Sequence, residues 1–232
     1  MSIFNKLCMK KLKEYQIIQN KIIIFDFDGV LADTIKIKGD VFFSIFKNYG
    51  VKTQKYAKEI HFNNTGLQRK YKFIKILKFL KEKNIYKKLI DLNNLFEDEY
   101  KKQIKKIKIN KNFEKFIVNN CKFFKFYISS AAPAKEINQI LINNNLDKYF
   151  VSIFGSPIKK EVSIRKIIKN NLNIKNRNII FIGDSIHDYD VAKKLNINFI
   201  AFKLNVKESN KIKYLSKSIK FKKIVYEYLN CS

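Results

Sequence analysis

Residues 21–34 read KIIIFDFDGVLADT. Ile22, Ile23, Ile24 and Phe25, followed by Phe27, run straight into Asp26, Asp28 and Asp33. A short unbroken apolar run of this kind marks a strand covered on both faces. Carboxylates set this close repel one another, and each resists ionising unless something positive lies among them. The strand is therefore expected to be buried and to carry a charged site at its carboxyl end.

Working outward, three more apolar runs match the first, at 123–129, 151–154 and 179–182, and a fifth follows at 199–202. Helical patterns separate them at 133–144, 161–170 and 188–195. Strands alternating with helices predict a doubly wound, Rossmann-like parallel α/β sheet, in which ligands bind beyond the carboxyl ends of the strands. One interval breaks the alternation. From about 35 to 110 the segments DVFFSIFKNYG, KYKFIKILKFL and LIDLNNLFEDEYKKQIKKI are helical in pattern and contain no strand of the core type. The expected organisation is a helical extension over 1–20, a catalytic core over 21–34 and 111–232, and an inserted α-helical cap over 35–110.

The 232 residues carry 48 Lys and Arg against 20 Asp and Glu, a formal net charge of +28. Such a charge invites a nucleic-acid reading. The lysines, however, are spread through the whole chain beside many Ile and Asn, with no nucleic-acid motif or base-stacking pattern. A solvated lysine surface is expected, with no specific nucleic-acid partner. Cys8, Cys121 and Cys231 are far apart and odd in number, which fits neither a disulfide framework nor a zinc spacing and suits a reducing cytoplasm. No apolar run is long enough to span a bilayer. The oligomeric state is not legible; a monomer is the favoured expectation.

Four segments bring polar groups to the strand ends: Asp26 and Asp28; Ser129 and Ser130 in FYISSAAP; Lys159 and Lys160 in GSPIKKE; and Asp184, Asp188 and Asp190 in FIGDSIHDYD. Several carboxylates around one point require a cation, and oxygen ligands of this type favour Mg²⁺. A Mg²⁺, a lysine and a serine hydroxyl together make a receptor for a phosphoryl group. An ionised aspartate inside it can attack phosphorus, and a second carboxyl can protonate the leaving alkoxide and then take a proton from water. Gly29 allows a tight turn whose N–H groups can hold phosphate oxygens. Asp33 and Thr34 read as helix-capping residues, Asp190 as a surface or first-turn charge, and His187 as a solvated loop histidine.

DFDGVLADT, the Ser129 strand, the lysine after GSP and GDSIHD resemble, in order, the four motifs of the haloacid dehalogenase-like hydrolase superfamily, in its phosphatase branch. The resemblance covers about 21–202. It implies that Asp26 is the nucleophile, Asp28 the acid/base, Ser129 a phosphoryl ligand and Lys160 the charge-balancing lysine, with Lys159 its competitor. It further implies Mg²⁺ held by Asp26, the backbone carbonyl of Asp28, Asp184 and Asp188. Asp28 favours phosphoester chemistry over dehalogenation, because halide leaves without a proton. A sugar phosphomutase would use the same core, and an inactive binding member is the remaining alternative. In HFNNTGLQRKYKF, the stretch after Gly66 resembles a cap loop often written Gly-x-Ser-Arg, with Gln68 at the serine position. Arg69 and Lys72, together with Gly29 and Ser130, are the expected substrate-binding residues, with Arg69 suited to a carboxylate or second phosphate. The expected partner is a small phosphorylated metabolite, and phosphoglycolate and sugar phosphates fit alike.

Overall fold

The computed structural model describes residues 21–64, 66–202 and, for the backbone, 213–215. The expected helix over 1–20 lies outside these residues. Strand β1 (Ile22–Phe25) is followed by helices α1 (Ile35–Ile45), α2 (Val51–Phe62), α3 (Arg69–Phe79) and α4 (Ile85–Ile104). Then come α5 (Lys111–Asn120), β2 (Lys125–Pro133), α6 (Ala134–Asn143), β3 (Phe150–Ser156) and α7 (Lys160–Lys169). The chain continues through β4 (Ile179–Gly183), α8 (Ile186–Lys194), β5 (Asn198–Phe202) and β6 (Lys213–Leu215).

The strands form one sheet in the order β3-β2-β1-β4-β5-β6, and every described pair is parallel. β1 lies between β2 and β4, with Phe25 beside Ile128 on one side and Ile182 on the other. The strand order reverses direction here. Such a switch point opens a crevice at the carboxyl ends of the central strands, and Asp26 stands there. The sequence reading placed the five core strands to within a few residues; β2 runs on to Pro133, and β6 was not anticipated.

Alternation along each strand sorts the core into two layers. Ile23, Phe25, Phe126, Ile128, Ile180 and Ile182 face one layer, which continues through Phe113 and Phe116 of α5 into Phe42, Phe73 and Phe96 of the inserted helices. Ile22, Ile24, Tyr127, Ile179 and Phe181 face the other, against Ile164 and Ile167 of α7 and Val191 and Ala192 of α8. The four inserted helices α1 to α4 therefore share an apolar layer with one face of the sheet. None of the described helices is long and apolar enough to cross a membrane.

Phe25 is the junction of the first layer. Its ring lies 5.6 Å from Phe113, 5.8 Å from Phe126 and 6.3 Å from Phe150, joining β1 to α5, β2 and β3. Phe25→Ala should destabilise the fold by about 3–5 kcal/mol in denaturant unfolding, and a loss below about 1 kcal/mol would contradict this packing.

Candidate active site

The site is built from strand ends. Asp26 follows β1 directly; Phe27 N–H donates to its Oδ1 at 2.7 Å and Lys160 Nζ to its Oδ2 at 2.7 Å. The same Nζ donates to Asp188 Oδ1 at 2.5 Å. Lys160 opens α7 and is buried, whereas Lys159 is exposed, so the one-residue ambiguity resolves to Lys160 at this position. Asp188 sits in the first turn of α8, where the helix N-terminus favours negative charge. Ser185 caps that helix: its Oγ accepts from Asp188 N–H at 3.3 Å and donates to Asp188 Oδ2 at 2.6 Å. GDSIHD thus folds into a reciprocal cap that fixes the carboxylate.

Asp26, Asp184 and Asp188 each offer an oxygen within 4.8 Å of the others. Two of the three, Asp26 and Asp188, share the Lys160 ammonium. Burial pushes Asp26 up to about 7, with Lys160 opposing and Asp188 and Asp28 adding to the rise. Burial pushes Asp184 up to about 8, reinforced by Asp26 and Asp188. Burial works against the charge on Lys160, but Asp188 and Asp26 outweigh it and hold the ammonium on. This donor set fits a hard divalent cation, which would offset the burial and the mutual repulsion that raise Asp26 and Asp184. Two glycines make room for it. Gly29, at φ 80°, would place a Cβ 2.1 Å from Asp184 Oδ2, and a Cβ on Gly183 would lie 2.5 Å from that of Asp188.

Some sequence expectations meet different local geometry. Gly29 N–H donates to the Ala32 carbonyl at 2.8 Å, so that amide closes the turn. Ser163 Oγ donates to the Lys160 carbonyl, so Ser129 Oγ donates to Ser163 Oγ at 2.7 Å, and Ser129 is fully buried. That hydroxyl ties β2 to the start of α7. One residue on, Ser130 Oγ accepts from Ala132 N–H at 3.2 Å, which leaves its own proton for another acceptor. Thr34 occupies the N-cap position of α1, but its hydroxyl donates to Asp28 Oδ1 and makes no cap bond.

Asp28 is clasped. Lys38 Nζ donates to both of its oxygens at 2.6 Å. Burial alone would raise the Asp28 pKa, but the charge and hydrogen bonds of Lys38, with the Thr34 hydroxyl, bring it below its ordinary value. The sequence reading missed Lys38. It stands three and four residues before Val41 and Phe42, on the buried stripe of α1, where a lysine is a signal in itself. His61 Nε2 lies 2.8 Å from the Ile35 carbonyl, so that nitrogen carries the proton, and Nδ1 accepts from Lys72 Nζ at 3.3 Å. Burial and then Lys72 lower His61 to about 3 and keep it neutral. Burial lowers Lys72 to about 7, and no carboxylate among the described residues lies within ion-pair distance of it.

The inserted helices rest on the sheet edge through the 66–69 stretch. A Cβ on Gly66 would meet Ser185 Oγ at 2.9 Å. Gln68 Nε2 donates to the Ile158 carbonyl at 3.2 Å. Arg69 Nη2 pairs with Glu136 Oε1 of α6, while the guanidinium lies 4.0 Å above the Phe96 ring. Arg69 therefore already has an anionic partner here, where a substrate anion was expected. Asp28, Lys38, His61, Arg69 and Lys72 line one small cavity together with Ala131 and Ala132 of β2. His187 and Asp190 are exposed, as expected.

A family model described as haloacid dehalogenase-like hydrolase matches residues 23–202. A Thermotoga maritima protein named phosphorylated carbohydrates phosphatase is 24% identical over 186 residues, which are 77% of this chain and 82% of its own length. Among solved structures, β-phosphoglucomutase from Clostridium difficile superposes with a TM-score of 0.71 at 21% identity, covering 90% of this chain and 97% of its own. A haloacid dehalogenase-like family protein from Streptococcus pneumoniae gives a TM-score of 0.61 at 19% identity and 90% coverage of each chain. These structural likenesses establish the fold.

The raised pKa values of Asp26 and Asp184 make stability depend on pH. A carboxyl that titrates higher in the folded than in the unfolded chain binds its proton more tightly on folding, so folding loses stability as pH rises between the two values. For Asp184 that window runs from the ordinary 3.8 to about 8. In the metal-free protein, Asp184→Asn should gain on wild type in melting temperature between pH 5 and pH 8. A difference that stays constant with pH would contradict the buried carboxylate cluster.

Proposed function

Because the chain belongs to the haloacid dehalogenase-like hydrolases, we propose that it is a Mg²⁺-dependent phosphatase that hydrolyses a small phosphorylated carbohydrate through an aspartyl-phosphate on Asp26. The observation that carries this reading is the Lys160 ammonium held between Asp26 and Asp188, with Asp184 within ligand reach. The carbohydrate class is taken from the named Thermotoga relative.

In this mechanism Asp26 attacks phosphorus while the P–O bond to the leaving group breaks. Asp28 gives the departing alkoxide a proton, and then takes one from the water that attacks the phosphoaspartate. Phosphate leaves and Asp26 is restored. Lys160 opposes the burial that raises Asp26, favouring the ionised form that attacks, and balances charge on the phosphorylated carboxyl. The Ser130 hydroxyl is assigned to a phosphoryl oxygen, and Ser129 to positioning Lys160 through Ser163. Asp26, Asp184, Asp188 and the Asp28 carbonyl are assigned to the cation. Bound Mg²⁺ supplies electrostatic neutralisation of the phosphoryl oxygens against these carboxylates.

Asp28 needs a proton to act as an acid, yet Lys38 and Thr34 hold it ionised in the arrangement described. Lys38 rides on α1, within the inserted helices, so movement of those helices can draw the ammonium off Asp28 as substrate enters. Lys72 is assigned to the substrate in preference to Arg69, because Arg69 is paired with Glu136 and Lys72 has no carboxylate partner among the described residues.

Three outcomes test the proposal. Chelation should abolish release of inorganic phosphate, with Mg²⁺ restoring it and Ca²⁺ restoring it poorly, since its longer, looser coordination misplaces Asp26. Asp28→Asn should slow alkyl phosphates by about 10²–10⁴ and activated aryl phosphates far less, because a good leaving group needs little protonation. Full activity in excess chelator, or equal losses on both ester classes, would contradict the assignment. Isomerised sugar phosphate without phosphate release would instead indicate a mutase.

A further inference from the structure

A second cleft of about 360 Å³ opens between α4 and the start of α6. Tyr100, Lys101 and Ile104 line it from one side and Pro133, Lys135 and Glu136 from the other, among others. Two buried side-chain atoms among the described residues have no hydrogen-bond partner, and both belong to this lining: Tyr100 Oη and Glu136 Oε2. Tyr100 is 1% exposed and Glu136 9%. Unsatisfied buried polar atoms are destabilising, and two in one cleft ask for a ligand.

Their chemistry is complementary and their orientations are set. Arg69 engages Glu136 Oε1, which leaves Oε2 as an acceptor. The Tyr100 ring lies 5.8 Å from Phe96, with Lys38 Nζ 5.2 Å from its centroid. Burial, with the charges of Asp28 and Glu136, pushes the phenol up and keeps it protonated, hence a donor. A donor and an acceptor in the lining of one cleft match an alcohol, which accepts from one and donates to the other. The cleft adjoins the catalytic pocket: Pro133 lines both, and Arg69 and Phe96 stand on the catalytic side.

We propose that Tyr100 and Glu136 form a hydroxyl-binding subsite that reads the leaving group of a phosphorylated polyol or carbohydrate. This rests on the phosphatase reading and gives it a specificity element. The subsite selects leaving groups that bear a free hydroxyl over those that do not.

The test compares glycerol 3-phosphate with n-propyl phosphate, which has the same carbon skeleton without free hydroxyls, on wild type and Tyr100→Phe with Mg²⁺. Wild type should prefer the glycerol ester, and in Tyr100→Phe the ratio of the two kcat/KM values should fall by roughly 5–30-fold, the worth of one hydrogen bond to a buried partner. An unchanged ratio, as expected if a water alone satisfies the pair, would overturn the proposal. Without ester, Tyr100→Phe should melt at or above the wild-type temperature, because only an unpartnered hydroxyl is lost. A fall of several degrees would reveal a structural partner and also overturn it. If wild type turns over neither ester, the phosphatase reading itself has failed, and ester-induced melting shifts then decide the subsite. A larger shift by glycerol 3-phosphate than by propyl phosphate in wild type alone supports it, and equal shifts sink it.

Discussion

The Lys160 ammonium, held at 2.7 Å from Asp26 and 2.5 Å from Asp188, is the interaction on which the site depends. It joins the end of β1 to the beginning of α8 through the beginning of α7, three segments far apart in sequence. Removing it would leave buried carboxylates facing one another without a counter-charge, an arrangement a fold does not tolerate. The surrounding structure is arranged to keep it in place. Ser163 holds the Lys160 carbonyl, Ser129 holds Ser163, and Ser185 fixes Asp188. The parallel sheet supplies the rigid frame, because Asp26 and Asp184 directly follow its paired central strands β1 and β4.

A second electrostatic layer lies above the first. Lys38, Arg69 and Lys72 from the inserted helices face Asp28 and Glu136 across a small cavity. Two of the cations are paired, and the third leans on a neutral histidine. The Arg69–Glu136 pair also joins α3 to α6, so the inserted helices meet the sheet-bearing part of the chain through a buried ion pair with nonpolar rings beneath it. A buried pair is more a device of geometry than a source of stability. Here it engages Oε1 of Glu136 and leaves Oε2 without a partner.

Much of this was legible in the sequence because it is local. The run IIIF, the carboxylates that follow it and the motif GDSIHD are each written in consecutive residues, and the alternation of strands and helices put them at one edge. Lys160 could be chosen only through resemblance, and its burial explains the choice. What was not legible depends on long-range pairing. Nothing near Arg69 announces Glu136, 67 positions away, and nothing near Ser129 announces Ser163. Thr34 was read as a cap, and its position agrees, but the charged acceptor Asp28 wins its hydroxyl over a backbone N–H because a bond to a charged group is the stronger one. Lys72 was singled out in the sequence, and Lys38 was within reach too, because it falls on the buried apolar stripe of its helix beside Val41 and Phe42, where a lysine is unusual.

The central claim is that Asp26 carries the phosphoryl group. The direct measurement is acid-quench of the enzyme during Mg²⁺-supported turnover of an aryl phosphate, followed by peptide mass spectrometry. The account predicts a phosphoryl group on Asp26, stable in acid, released by hydroxylamine and absent from Asp26→Asn. A phosphoryl group on Ser130 or another hydroxyl, or sustained turnover by Asp26→Asn, would contradict it.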